Sequence, residues 1–351
     1  MDSNTKITKQ TKNKIRVDYE GKLSFKERML QKAKASNTWI KAVINVLRFV
    51  LMLGVSYVIL FPFITKIAGS FMTKEDIVDA TVALIPKHFT LDIYKYMITE
   101  NGYLEALLNT VLLSLLCAII QMFIACLIGY GLAKFKFKGN KIVMVAVVIT
   151  MVIPHRTMSM SLIQHFTDFD LLKVNAWTNY RGIIDIILQG RQLDLSNSFW
   201  PLIILSVFGL AFKNGLYIYL MRQFFKGVPD ELEESAYVDG SGVLRTFFSI
   251  IIPLSVPMMI TIFLFSFSWQ WTDNFYTQIF FMSNIDKMHL MPDLLQQVPP
   301  SLLFQNFPGQ QLYENVIQNT AAIMVIIPLV IMYLFCQKYL VQGIERSGLV
   351  G

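Results

Sequence analysis

Long apolar stretches separated by polar segments dominate the chain, at residues 43–64, 107–132, 142–163, 200–221, 257–280 and 321–339. About 20 apolar residues of α-helix cross the hydrocarbon core of a bilayer. The pattern therefore predicts an all-α, polytopic membrane protein with six transmembrane helices. Pro62, Pro154 and Pro328 fall inside these stretches and predict kinks, which neighbouring helices accommodate in a bundle. The fifth stretch is the least uniform. Ser266, Gln270, Asp273, Asn274 and Thr277 recur in it at helical spacing, within one arc of about 100°. Phe263, Phe265, Phe267, Trp269, Trp271, Phe275 and Phe280 flank them. A polar stripe at membrane depth is expected to face protein or water, because lipid would leave its groups unpaired.

Composition agrees with the pattern. Only 16% of the 351 residues are charged and 54% are hydrophobic, against about 25% charged in a soluble domain. The net charge of +7 could suggest nucleic acid, but 11 of the 31 basic residues lie in the first 41 positions, ahead of the first apolar stretch. Such a flank suits an anionic lipid surface, and no nucleic-acid partner is expected. With the N-terminus inside, the segments assigned to the cytoplasm hold 19 basic residues and the outer loops hold 8. Lys and Arg concentrate on the cytoplasmic side, so both termini are expected there. The predicted organisation is a basic cytoplasmic tail (1–42), a first transmembrane helix with an outer segment (43–106), a core transmembrane domain (107–340) with a cytoplasmic loop at 222–256, and a cytoplasmic C-terminal tail (341–351).

Several chemistries have no visible constellation. Cys117, Cys126 and Cys336 sit inside apolar runs and suggest neither a disulfide framework nor a metal site. No G-x-x-x-x-G-K-[ST] loop is present to cradle nucleotide phosphates, and there is no H-E-x-x-H. The four histidines are scattered, and Asp168-Phe169-Asp170 lacks the other ligands of a calcium loop. No enzymatic activity, catalytic residue, metal or cofactor of its own is expected.

The most informative segment is Val228-Pro-Asp-Glu-Leu-Glu-Glu-Ser-Ala-Tyr-Val-Asp-Gly-Ser-Gly242. Pro229 suits a first helical turn, and Asp230, Glu231, Glu233 and Glu234 place negative charge at the helix's positive end. Gly240 and Gly242 stop the helix, and a second helical run begins near Val243. This segment resembles the EAA loop of binding-protein-dependent ABC importers, E-A-A-x-x-x-G followed after nine residues by I-x-L-P. Glu234-Ser235-Ala236, Gly240 and Ile250-Ile251-Ile252-Pro253 stand at the matching places, with Ser235 for the first alanine and Ile252 for the leucine. The stretches at 84–94, 133–139 and 337–343, together with Asn109-Thr110, resemble the second permease subunit of the carbohydrate-uptake group. Residues 164–199 depart from it by being longer and more polar.

The resemblance implies a type I importer fold in a prokaryotic cell membrane. It implies a second homologous permease, two ATPase subunits that hold the ATP and Mg²⁺, an extracellular solute-binding protein and a carbohydrate substrate. Glu231, Glu233, Glu234, Ser235, Ala236, Asp239 and Gly240 would form the helix that couples to the ATPase. Gln270, Trp271, Asp273, Asn274 and Thr277 would line the substrate pathway. The alternatives are a secondary transporter or channel, or an importer of a peptide or other small polar solute.

Overall fold

The computed structural model describes residues 7–10, 16–19, 36–170, 193–281, 290–304 and 306–346. Most of the 164–199 loop, much of the basic tail and residues 347–351 lie outside these. Two units are distinguished, residues 1–65 and residues 66–351.

In the first unit, β1 (Ile7–Gln10) and β2 (Arg16–Tyr19) pair antiparallel, with Ile7 opposite Tyr19 and Gln10 opposite Arg16. This short ladder in the tail and a single antiparallel bridge between Met72 and Phe89 are the β-structure among the described residues, and both are too brief to show in the apolar pattern. The helix α1 (Ser36–Gly69) follows, with Pro62 inside it. Its 34 residues measure about 51 Å at 1.5 Å per residue. Leu47, Val50, Leu51, Leu53 and Val58 are all exposed around its circumference. A helix apolar on every side belongs in lipid.

In the second unit, short helices α2 (Lys74–Val78) and α3 (Asp92–Thr99) precede the long α4 (Tyr103–Lys134). Next come α5 (Asn140–Val152), α6 (Ser159–Thr167), α7 (Trp200–Val207), α8 (Asn214–Lys226) and α9 (Glu231–Val238). Then α10 (Val243–Trp271) passes through one π turn at Phe247–Ile251, and α11 (Phe275–Phe280) and α12 (Gln310–Arg346) complete the chain. α4 is the hub, packing along α8 and α10, and α10 in turn packs on α12.

Four helices (α1, α4, α10 and α12) are long and apolar enough to cross a membrane. α5 and α6 add a fifth crossing if taken as one broken span, bent by 95°. Six unbroken crossings are not what the described residues contain. The expected crossing at 200–221 is divided into α7 and α8, of 8 and 13 residues.

Each break has a local cause. Pro154 lacks an amide hydrogen and holds Ile153 extended (ψ 123°), so α5 cannot continue. Between α7 and α8, Gly209 and Lys213 both take the left-handed conformation, at φ 69° and 67°. α10 stops at Trp271, and Asp273 starts α11 by accepting from the amides of Phe275, Tyr276 and Thr277, each at 3.2 Å. The polar positions at 266–277 therefore do not lie on one continuous helix. Ser266 turns inward, donating to Gln121 Oε1 at 2.6 Å, while Gln121 Nε2 donates to Ser206 Oγ at 3.1 Å. That buried relay ties α10, α4 and α7 together.

Glycine sets the closest helix approach. A Cβ on Gly129 of α4 would stand 2.5 Å from Met221 Cβ and 3.0 Å from the Arg222 amide of α8. Small residues let backbones meet in this way where lipid offers no hydrophobic drive. Gly131, two residues on, has open space where its Cβ would be. We expect Gly129→Ala to lower the thermal unfolding midpoint of the detergent-purified protein, at a cost of about 1–3 kcal/mol from overpacking. Gly131→Ala should leave it unchanged or raise it, through better helix propensity. Equal midpoints for the two variants would contradict the packing described.

Candidate functional sites

The α8–α9–α10 connection is built on a buried lysine. Lys134, the last residue of α4, donates to the Val228 carbonyl at 2.6 Å and to Asp230 Oδ1 at 2.5 Å. Its ammonium also lies 3.4 Å from Glu233 Oε1, and both side chains are about nine-tenths buried. Tyr130, one turn back on α4, donates its hydroxyl to Glu233 Oε2 at 3.0 Å. The hydrogen bond from Lys134 holds the Asp230 carboxyl below its usual range. That contribution is present above an ordinary carboxylate pKa of about 4 and fades as the pH falls further. Asp230 itself is exposed, so its share is small.

The far end of α9 closes on glycine. Gly240 is left-handed at φ 80°, with its amide donating to the Tyr237 carbonyl at 3.0 Å and the Ser241 amide to the Ala236 carbonyl at 2.9 Å. These two bonds form a Schellman C-cap, which favours glycine because a side chain strains that backbone. Open space surrounds the Gly240 Cα.

The residues expected to couple divide into two sets. Glu233 and Ala236, three apart, face inward: Glu233 onto Tyr130 and Lys134, Ala236 into the protein at 4% exposure. Glu231, Glu234, Ser235, Asp239 and Gly240 are exposed, giving an acidic outer face ending in an unobstructed turn. A single sequence does not tell the two sets apart, because all the acids look alike until Lys134 is placed.

The second site is an open cavity of about 990 Å³ where the three helix breaks converge. Residues 150–156 come from the α5–α6 break, 209–213 with Gly215 and Leu216 from the α7–α8 break, and Trp269 with 272–275 and Gln278 from the α10–α11 break. α5 and α8 each have 13 residues, so the cavity lies about 20 Å from their far ends at Asn140 and Lys226.

The expected pathway residues separate here as well. Asp273 and Asn274 line the cavity, Asn274 exposed and Asp273 occupied with the amides of α11. Gln270 is half-buried and outside the lining. Trp271 is turned into the core, stacked on Phe267 and donating its indole N–H to the Val325 carbonyl at 3.0 Å. Thr277 is buried, its hydroxyl donating to the Asp273 carbonyl at 2.9 Å. The tryptophan facing the cavity is Trp269, 47% exposed, with the Lys213 ammonium 5.2 Å from its ring centre.

Of the lining residues outside the expected set, His155, Arg156 and Lys213 are the ones with basic side chains. His155 Nδ1 lies 2.8 Å from the Tyr276 hydroxyl, and its ring packs on Phe212. The signal for the two cations was present in the sequence, as single charges inside apolar stretches. A cation at the centre of a bilayer costs about 2.5–3.5 kcal/mol on insertion scales, so such charges are rare in apolar stretches.

Comparison with known proteins places this architecture. Residues 121–346 match the family model described as "Binding-protein-dependent transport system inner membrane component". The polygalacturonan/rhamnogalacturonan transport system permease protein YtcP of Bacillus subtilis is 29% identical over 308 residues, covering 86% of this chain and 96% of that protein. The arabinooligosaccharides transport system permease protein AraQ of Halalkalibacterium halodurans is 25% identical, covering 87% of this chain and 98% of that one. Among solved structures, a chain of a bacterial ABC transporter involved in the import of the acidic polysaccharide alginate superposes with a TM-score of 0.62. It is 21% identical, over 91% of this chain and 99% of that one, a likeness of fold. Both the clamped loop and the cavity fall within the matched region. The chain thus belongs to the family of binding-protein-dependent transport system inner membrane components, and is a multi-pass membrane permease subunit of an ABC import system.

Proposed function

We propose that this chain forms half of the translocation pathway of an ATP-driven importer for a carbohydrate. The observation that carries the proposal is α8: Lys213, just before it, and Gly215 and Leu216 in its first turn line the cavity, and it ends at Lys226, at the loop leading into α9. One rigid element therefore joins the place where a solute sits to the place where an energy-supplying partner docks. The other half of the pathway belongs to a second, homologous permease. Two ATPase subunits carry the ATP and Mg²⁺ and receive the exposed face of α9, and an extracellular binding protein delivers the solute. This subunit itself performs no chemistry.

Carbohydrate is supported by the sugar cargoes for which the permeases YtcP and AraQ are named. The cavity's chemistry agrees, since Trp269 offers a ring face to sugar C–H groups while Asn274 and Gln278 offer donors and acceptors to hydroxyls. Six crossings follow if α5–α6 and α7–α8 each span the bilayer as a broken helix. Both termini are then cytoplasmic, as the basic residues require.

Three outcomes test this reading. Proteoliposomes holding the full complex should take up an oligosaccharide only with ATP and the binding protein; uptake of peptides and no saccharide would overturn the cargo assignment. A cysteine introduced at Thr81 should react with an impermeant maleimide from outside intact cells, and one at Lys138 only from the cytoplasm. The opposite pattern would invert the topology. Finally, Gly240→Ala and Gly240→Trp bring the same left-handed backbone penalty, about 1–2 kcal/mol, and differ in bulk alone. Gly240→Trp should reduce uptake about tenfold or more, equivalent to about 1.4 kcal/mol of docking energy, with Gly240→Ala much milder. Equal loss in both would place the defect in the fold of the loop and not in docking.

A further inference from the structure

The cavity's charge is not what a neutral saccharide requires. Two cations line it, Arg156 and Lys213. Among the described residues neither has an acidic partner within ion-pair distance. The one carboxylate in the lining, Asp273, is directed at the three amides that open α11, so its charge is already matched by the end of a helix. His155 is engaged with the Tyr276 hydroxyl. The remaining unmatched charge is positive.

Lys213 is also held in place. It takes a left-handed backbone (φ 67°) although it is not glycine, at the entry to α8. Strain of that kind persists where surrounding structure enforces it and gathers at functional sites. The side chain is half-buried, and its ammonium lies 4.9 Å from the ring centre of Phe212 and 5.2 Å from that of Trp269. The aromatic rings position the cation without neutralising it. Arg156, in the lining at the α5–α6 break, is exposed and presents a planar fork of donors suited to a carboxylate.

We infer that the solute carries carboxylates, as a uronate-containing oligosaccharide does, and that Lys213 and Arg156 are its anion-binding residues. Trp269 beside Lys213 takes the face of the sugar ring whose carboxylate the cation engages. This deepens the carbohydrate reading given above and rests on it.

The test is equilibrium binding to the complete permease–ATPase complex in nanodiscs, without the binding protein, so that no other subunit filters the solute. The probes are trigalacturonate and its fully methyl-esterified form, which keeps the sugar rings and removes the charge. The wild-type complex should prefer the acid form. Lys213→Gln and Arg156→Gln should each lower that preference about tenfold, the scale of one lost charge-assisted hydrogen bond, and Lys213→Arg should largely retain it. Because the readout is a ratio between two ligands, a partly misfolded variant does not imitate the effect. Equal binding of both forms by the wild type, or an unchanged ratio in both glutamine variants, would overturn the inference. The second result would assign the two cations to carboxylates of the neighbouring permease. Binding of neutral saccharides with no preference for the acid leaves the carbohydrate reading standing and removes only the carboxylate. Failure to bind any saccharide, together with no saccharide uptake, would remove both.

Discussion

A bilayer offers no water to an unpaired peptide group, so every interruption of a membrane helix must be answered by protein or by a wet cavity. This constraint organises the second unit. The chain interrupts three of its apolar segments, at Pro154, at Gly209–Lys213 and at Thr272–Asn274, and these interruptions gather round one opening instead of facing lipid. Gathered, the breaks place loose backbone groups and polar side chains beside each other at a depth where a solute would otherwise meet only hydrocarbon. The polar lining follows from the breaks, and the breaks are tolerable because they share a cavity.

The opposite end of the unit answers a different constraint. Lys134, Glu233 and Tyr130 form a buried polar cluster, and such clusters are weak sources of net stability because desolvation offsets most of the attraction. Their consequence is positional. The buried Lys134 ammonium is met by the Val228 carbonyl and by Asp230 and Glu233, which fixes the start of α9 against the end of α4. Tyr130 adds a second point of attachment one turn away. The outer acids of α9 are left free for a partner because the inner one is committed.

The sequence made some of this legible and hid the rest for physical reasons. The stop at Gly240 could be read directly, because the helix termination it supplies uses a backbone conformation that glycine favours. The long apolar helices were legible by length. The break at Thr272–Asn274 was not, because Thr277 stands at helical spacing from Asp273 in either arrangement: within one helix, or as capping residue and first turn of the next. Trp271 and Trp269 are two positions apart on α10 and so point to opposite faces, and only the packing of α10 on α12 shows which of them turns inward. Burial of Glu233 depends on Lys134, 99 positions earlier, and no local pattern announces a contact of that separation.

α8 connects the two constraints. It is clasped against α4 at Gly129, where no side chain separates the backbones, and against α5 at Gly215, where a Cβ would come within 3.0 Å of the Val147 carbonyl. A helix held this closely at both ends cannot bend freely between them, so displacement at its Lys226 end must be passed along its axis or relieved by moving α4 and α5 with it. Both outcomes reach the cavity, since α8 begins at Lys213 and α5 ends beside Pro154. In the proposed importer, motion of the docked α9 would therefore reach the lining of the cavity without any element having to unfold.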